Sequence, residues 1–187
     1  MKIAFTDYIA GAALATALVN TSARVREAGE LLSTPDALRS FLAEHGVDVP
    51  TPAAADLDEV LALRARVRGV LEAATEQAAA DGANSLVTEA AAGPVLGPGG
   101  DDRWRWYVSI RADATLAGQL GVLAGIGLLG TLEALGHDRF RPCGSPECEG
   151  VFVDTSRGGR RRYCTPSLCG NRLNVARHRA RRAGAAD

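Results

Sequence analysis

The sequence predicts a mainly α protein, α+β in class: a helical N-terminal part with a short β-hairpin, then a small cysteine-bearing part. Three observations predict it. Apolar residues recur at three- and four-residue spacing through much of the first 139 residues, the stretch Arg103–Ile110 alternates with the period of a strand, and all four cysteines lie beyond residue 140. Two domains are therefore expected, 1–139 and 140–187. With 187 residues and a 47% apolar fraction the chain can bury a core, and disorder throughout is excluded. Aromatics make up only 5%, so that core should be Ala, Leu and Val carried on helices. The formal charge of −1 hides a split. Residues 1–139 hold 11 Lys/Arg against 18 Asp/Glu, a net of −7, and residues 140–187 hold 10 Arg against 4 Asp/Glu, a net of +6. Such asymmetry points to a basic arm with a polyanionic partner.

The first element, Phe5–Asn20, is apolar and helix-forming. Its core, Ile9–Val19, has the length of a signal-peptide apolar region, but Asp7 and an n-region of a single Lys argue against that role. Thr34 with Pro35 reads as an N-cap and first-turn proline of a second helix carrying Leu38, Phe41 and Leu42 and stopping near Gly46. Asp56 reads as the cap of a third helix whose stripe is Leu57, Val60, Leu61, Arg64, Val67, Leu71 and Ala74, ending near Gly82. Ala92–Asp102, with four Gly and two Pro, reads as a loop, and Ser85–Thr88 as a short strand partner for Arg103–Ile110. That strand should bury Trp104, Trp106, Val108 and Ile110 on one face; stacking of nucleobases on Trp beside Arg is the less favoured alternative. A last helix from Asp113 to about Gly136 closes the domain. Its 19 uncharged residues Ala114–Leu132 approach a membrane span, but five Gly and Gln119 make a packed helix the better account. The string Gly125-Ile-Gly-Leu-Leu-Gly130 matches a dinucleotide fingerprint in letters only. That fingerprint needs a strand and turn before a helix start, whereas these glycines fall inside a helix and predict close helix packing. The chain reads as soluble and cytoplasmic, with no membrane partner.

In a reducing compartment four cysteines suggest a metal before disulfides. Cys143-Gly-Ser-Pro-Glu-Cys148, fifteen residues, and Cys164-Thr-Pro-Ser-Leu-Cys169 are two C-x4-C pairs whose spacing fits one tetrahedral Zn²⁺ held by four thiolates. Two disulfides or four free thiols are the alternatives, and His137 is a minor substitute ligand. Gly144 and Pro146 permit a tight knuckle, Val151–Val153 reads as a strand, Asp154–Gly159 as a turn, and Arg160–Tyr163 as the return strand. The second pair then opens a helix beginning near Gly170 or Asn171. Knuckle, hairpin and helix make a treble-clef-like finger. Four Cys leave no open coordination position, so the single zinc is structural. So small a segment cannot fold unaided, and metal binding should supply on the order of 10 kcal/mol.

The predicted C-terminal helix has a narrow apolar stripe of Leu173, Ala176, Ala180 and Ala183 and a basic remainder: Arg172, Arg177, Arg179, Arg181 and Arg182. Arg157, Arg160, Arg161 and Arg162 crowd the hairpin turn. Four thiolates and a Zn²⁺ would trim the local charge only to about +4, so these nine arginines are the candidate nucleic-acid contacts. Docking of the basic helix on an acidic protein surface, or on the acidic first domain, stays open, as does RNA in place of DNA. Asn171 fits a helix cap and Arg172 a phosphate contact, while Asp154 fits a turn-fixing role. No Ser-His-Asp order, phosphate loop or His-Glu metal motif occurs, so no catalytic residues and no enzyme activity are expected.

These residues resemble the CGNR zinc-finger family of bacteria, whose naming motif stands here as Cys169-Gly170-Asn171-Arg172. Phe152-Val-Asp-Thr-Ser-Arg157 and Arg161-Arg-Tyr-Cys164 look like its F-x-D-x-S-R and R-R-W-C elements, with Tyr163 in place of Trp. Asn174 stands where the family commonly has Lys, and Thr165-Pro166 where it has Ser-Met. The family couples this finger to an N-terminal ABATE domain. Val19-Asn20-Thr21 resembles that domain's V-N-T motif, and Leu61-Ala-Leu-Arg64 its L-R-containing helix, whereas Ala17-Leu18 replace its acidic-aromatic pair. The resemblance implies a DNA-binding transcription regulator whose N-terminal domain senses a small-molecule effector or mediates homodimerisation.

Overall fold

The computed structural model describes residues 2–4, 8–101 and 103–170. Five helices and two small antiparallel sheets make up its regular structure. They are β1 (Lys2–Ala4), α1 (Tyr8–Val19), α2 (Pro35–Glu44), α3 (Ala54–Leu71), α4 (Glu76–Thr88), β2 (Ala91–Pro98), β3 (Trp104–Ile110), α5 (Leu116–Leu135), β4 (Phe140–Pro142) and β5 (Val151–Val153). The class is the mainly α, α+β one expected from the sequence.

α5 is the centre of the helical part. It is long and apolar enough to cross a membrane, but most of it is buried inside the protein. Its glycines let neighbouring helices approach closely. A Cβ on Gly125 would lie 2.7 Å from Val87 Cγ2 and 2.9 Å from the Ala83 carbonyl, so α4 can seat here only against hydrogen. A Cβ on Gly127 would overlap the backbone of Gly11 and Ala12, and one on Gly11 would lie 2.9 Å from Gly127 Cα. α1 and α5 therefore cross backbone to backbone. All three glycines of the fingerprint-like string lie within α5. Gly136, at φ +87°, ends the helix in a conformation that an L side chain resists.

α2 starts as the sequence indicates, with the Thr34 hydroxyl accepting the Ala37 N–H at 3.1 Å and Pro35 in the first turn. The third helix differs from expectation. It begins at Ala54, with the Asp56 carboxylate accepting the Ala53 N–H at 2.8 Å, and stops at Leu71. Thr75 then caps a separate helix, α4, by accepting the Ala78 N–H at 3.1 Å. Gly82 lies inside α4 rather than at a helix end, where a Cβ would stand 2.8 Å from Val70 Cγ2. Ser85–Thr88 is the last turn of α4 and not a strand.

The expected loop at 92–102 is largely strand β2. β3 is the central strand, with β1 on one side and β2 on the other. Gly93, at φ +124°, absorbs a bulge, and Pro94 and Pro98 are tolerated because β2 is an edge strand. Val108, Ile110 and Ile3 pack with Val122 and Ile126 of α5. Trp104 and Trp106, expected on that buried face, are 69% and 58% exposed.

The second sheet also departs from the predicted pairing. β5 pairs with β4, in register Phe140 with Val153 and Pro142 with Val151, and Arg160–Tyr163 forms no strand. The cysteine knuckle is thus the loop of the β4–β5 hairpin. Val151 and Val153 point into the main helical core with Leu18, Val60 and Leu128, while Phe152, on the opposite face, packs with Cys164 and Cys169. The period of two in three residues joins the large core to the small one.

A four-cysteine metal centre docked on helix α1

The sulfurs of Cys143, Cys148, Cys164 and Cys169 all lie within 4.8 Å of one another. Cys148 to Cys164 is 3.6 Å, Cys164 to Cys169 is 3.7 Å, and Cys148 to Cys169 is 3.6 Å. Four sulfurs about 2.3 Å from a tetrahedral zinc lie about 3.8 Å apart, so the site has the size of a zinc tetrahedron and is too open for disulfides. One structural zinc ion suits it. Backbone groups point at the sulfurs: the Gly150 N–H at Cys148 and the Cys164 N–H at Cys143, both at 3.4 Å, and the Ser145 N–H also at Cys143.

The knuckle is closed by Cys143 N–H donating to Gly150 O at 2.7 Å and Cys148 N–H to Ser145 O at 3.1 Å. Gly144 N–H donates to Arg162 O at 2.7 Å, tying the first pair to the second. The second pair sits on one wide helical turn, Pro166–Gly170.

The electrostatics of the four thiols are those of a site built for a cation. Burial pushes the Cys164 thiol well above its usual range, and nearby charge on Cys143 and Cys148 pushes it further. Burial likewise raises Cys169, to about 11. Burial works in the same direction on Cys143, but the Cys164 and Ser145 N–H groups outweigh it and bring that thiol down. Crowded sulfurs share few negative charges without a metal, and a divalent ion removes the penalty by binding all four as thiolates.

Asp154 is fully buried and organises the turn that follows β5. Oδ1 accepts the Ser156 N–H at 3.0 Å and its hydroxyl at 2.5 Å, and Oδ2 accepts the Arg161 N–H at 2.9 Å and Arg141 Nη1 at 3.3 Å. Burial alone would raise its pKa, but these donors and the Arg141 charge hold it below the usual carboxylate range. The role is the turn-fixing one. Arg139 braces the same turn, donating to the carbonyls of Asp154 at 3.1 Å and Ser156 at 2.9 Å.

The predicted nucleic-acid contacts divide. Arg157, Arg160 and Arg162 are exposed on this turn and its exit. Arg161 is half-buried: Nε donates to Tyr163 O at 3.0 Å, Nη1 to Val153 O at 3.3 Å and Nη2 to Cys164 O, with the guanidinium 4.8 Å from the Phe152 ring centre. Its donors hold the finger together. Asn171, Arg172, Arg177, Arg179, Arg181, Arg182 and the helix predicted to carry them lie outside the described residues. His137 is not with the sulfurs; its Nε2 lies 3.1 Å from Ala73 O.

The junction with α1 is the part that residue types alone did not reveal. Asn20 is buried, and its amide acts as a surrogate strand for β5. Oδ1 accepts the Val151 N–H at 3.2 Å, and Nδ2 donates to Val151 O at 2.7 Å and to Thr16 O at 2.6 Å. Thr16 Oγ1 accepts the Val153 N–H at 3.0 Å. Next to it Thr21 Oγ1 accepts Arg64 Nη1 at 2.9 Å, and Arg64 grips Glu30 with two bonds of 2.7 Å. The V-N-T and L-R motifs thus meet beneath the finger. The signal was a polar pair ending an apolar helix: Asn20 and Thr21 are buried in the company of leucines and valines.

Comparison with known proteins agrees with this architecture. No curated protein matches the chain. The model of the CGNR zinc finger matches residues 139–182, and the model of ABATE, described as a putative stress-induced transcription regulator, matches residues 12–134. With that match over most of its length, and four cysteines gathered as the finger requires, the chain belongs to the ABATE family and carries a CGNR zinc finger.

Proposed function

We propose that the protein is a cytoplasmic, non-enzymatic bacterial transcription regulator that binds DNA through the finger, with the helical domain sensing an effector or mediating dimerisation. The observation that carries this reading is the turn 154–162. A buried Asp154 and two bracing arginines, Arg139 and Arg141, fix the backbone, and Arg157, Arg160 and Arg162 project from it into solvent. Arginines on a fixed turn beside a metal-held knuckle suit phosphate contact, because little backbone motion has to be frozen on binding. Arg161 is less suited to that task than its three neighbours, because its guanidinium already donates to three carbonyls.

The test is a shift assay with zinc-loaded full-length protein and duplex DNA over a range of salt. Binding should weaken steeply with salt. The triple change Arg157→Ala, Arg160→Ala, Arg162→Ala should weaken it for all sequences alike, and the log–log salt slope should fall by about 0.9 for each phosphate that is no longer neutralised. Absence of salt-sensitive DNA binding by the zinc-loaded protein would sink the proposal. Preference for single- or double-stranded RNA over duplex DNA would reassign the partner.

A further inference from the structure

The most anomalous surface of the described molecule is the exposed face of the β2–β3 hairpin. Trp104 and Trp106 are 69% and 58% exposed there, and Leu96, the cross-strand partner of Trp106, is 51% exposed. Pro98 pairs with Trp104 and Pro94 with Val108, so one sheet face carries Pro94, Leu96, Pro98, Trp104 and Trp106 in a row. Beside it opens a groove of about 460 Å³ between the sheet, α4 and α5, walled by Val87, Pro94, Val108, Ile126 and Leu129, with Glu133 also lining it. Val108 lies in that groove and is two residues from Trp106 on the same face, so projecting indoles and a receptive groove are neighbours.

We propose that this face is the interface with a second copy of the chain, each protomer inserting its indoles towards the other's groove about a two-fold axis. Three observations favour a second copy. A surface with both the protruding and the receiving element side by side is self-complementary, which is the requirement of an isologous dimer. The area suffices: an indole presents on the order of 200 Å², so exposures of 69% and 58% leave about 250 Å² per chain. With the exposed Leu96, Pro94 and Pro98 beside them and the smaller wall of the groove, two protomers bury about 1,000 Å², the lower bound for a specific interface. Third, β2 is a poor edge for adding a strand, because Pro94 and Pro98 lack N–H groups and Gly93 bulges the register. The partner comes onto the face, not the edge. Nucleobase stacking is disfavoured by charge. Arg105 is held by Asp101 at 2.7 Å, Glu133 lines the groove, and residues 1–139 carry a net of −7.

The proposal gives the dimerisation role of the helical domain a surface and rests on that part of the functional reading, but not on DNA binding. The chain has only two Trp, so its indole emission reports on this face directly. Sedimentation of zinc-loaded full-length protein should show a monomer–dimer equilibrium with midpoint in the micromolar range, and the emission maximum should shift to shorter wavelength as dimer forms. Leu96→Glu keeps both indoles and should weaken the dimer at least tenfold, with emission staying at long wavelength. Trp104→Ser/Trp106→Ser should do the same to the mass, with far-UV circular dichroism and zinc content unchanged. A monomer at 100 µM, or a dimer indifferent to both variants, overturns the proposal. So does quenching of the emission by single-stranded nucleic acid bound to a monomer. A salt-sensitive shift assay that fails while the dimer persists would remove the DNA reading alone.

Discussion

Replacing Asn20 with Ala removes three hydrogen bonds, but the cost lies mainly in what is left behind. The Val151 N–H and C=O lose the strand-like partner that the Asn20 amide gives them on that edge. They cannot turn to β4 instead, since both point towards Asn20 on the opposite edge, and Pro142 has no N–H to offer the Val151 carbonyl. Both groups belong to a buried residue. A buried group stripped of its partner costs about 1–3 kcal/mol, so the pair, with the small void left by the amide, costs about 3–5 kcal/mol. Against a typical stability of about 5–15 kcal/mol this is a large fraction. At about 2–4 °C per kcal/mol for a chain of this size, Tm should fall by about 10 °C. Thermal unfolding of the zinc-loaded full chain, followed by circular dichroism, reads the shift. Because Val151 and Val153 sit in the main helical core, the melt should remain a single transition. A Tm within 2–3 °C of the parent, at equal zinc content, would refute a role for Asn20 in holding the finger on α1. Two resolved transitions in the parent protein would refute the shared core.

Three further outcomes follow from the same geometry. Cys164→Ser should abolish the one equivalent of zinc measured by elemental analysis; in the parent, affinity should rise with pH, because Cys164 and Cys169 sit above their usual range and release protons as metal binds. Gly127→Ala should destabilise by about 3 kcal/mol or more in denaturant titration, since its Cβ would meet backbone of Gly11 and Ala12 that no rotamer change can move. Asp154 has a depressed pKa, so its stabilising effect is present above the ordinary carboxylate pKa and is lost as pH falls through the lower folded value; Asp154→Asn should therefore lower stability at neutral pH and flatten the acid limb of the stability–pH curve.

The metal ligands were legible because their chemistry is written in residue type and spacing. The α5 glycines were legible because a fingerprint without its strand and turn leaves packing as the explanation. What escaped depended on partners distant in sequence. Nothing near Val151 says that its strand neighbour is Phe140–Pro142 and not Arg160–Tyr163; the choice is made by Asp154, whose carboxylate takes the Arg161 N–H that a ladder would have used. The break at Glu72–Thr75 escaped because Ala-rich sequence permits a continuous helix, and the Thr75 cap counts only if the chain turns there. Alternation at Trp104–Ile110 correctly indicated strand and face, but not that only the Val108–Ile110 end of that face would be covered. Arg161 and Arg162 are adjacent and chemically identical, yet one is bound up in the finger and the other exposed, a distinction only burial could make.

The position of β5 ties two properties that a bead-on-a-string arrangement would keep apart. A ligand that binds only the folded form stabilises everything that unfolds with it, by about 2.7 kcal/mol at a hundred times its dissociation constant. Since Val151 and Val153 belong to the same core as Leu18, Val60 and Leu128, free zinc sets the open-state population of the helical domain as well as of the finger. Removing the metal, or oxidising the thiolates that hold it, thereby lowers the stability of the helical domain together with that of the finger.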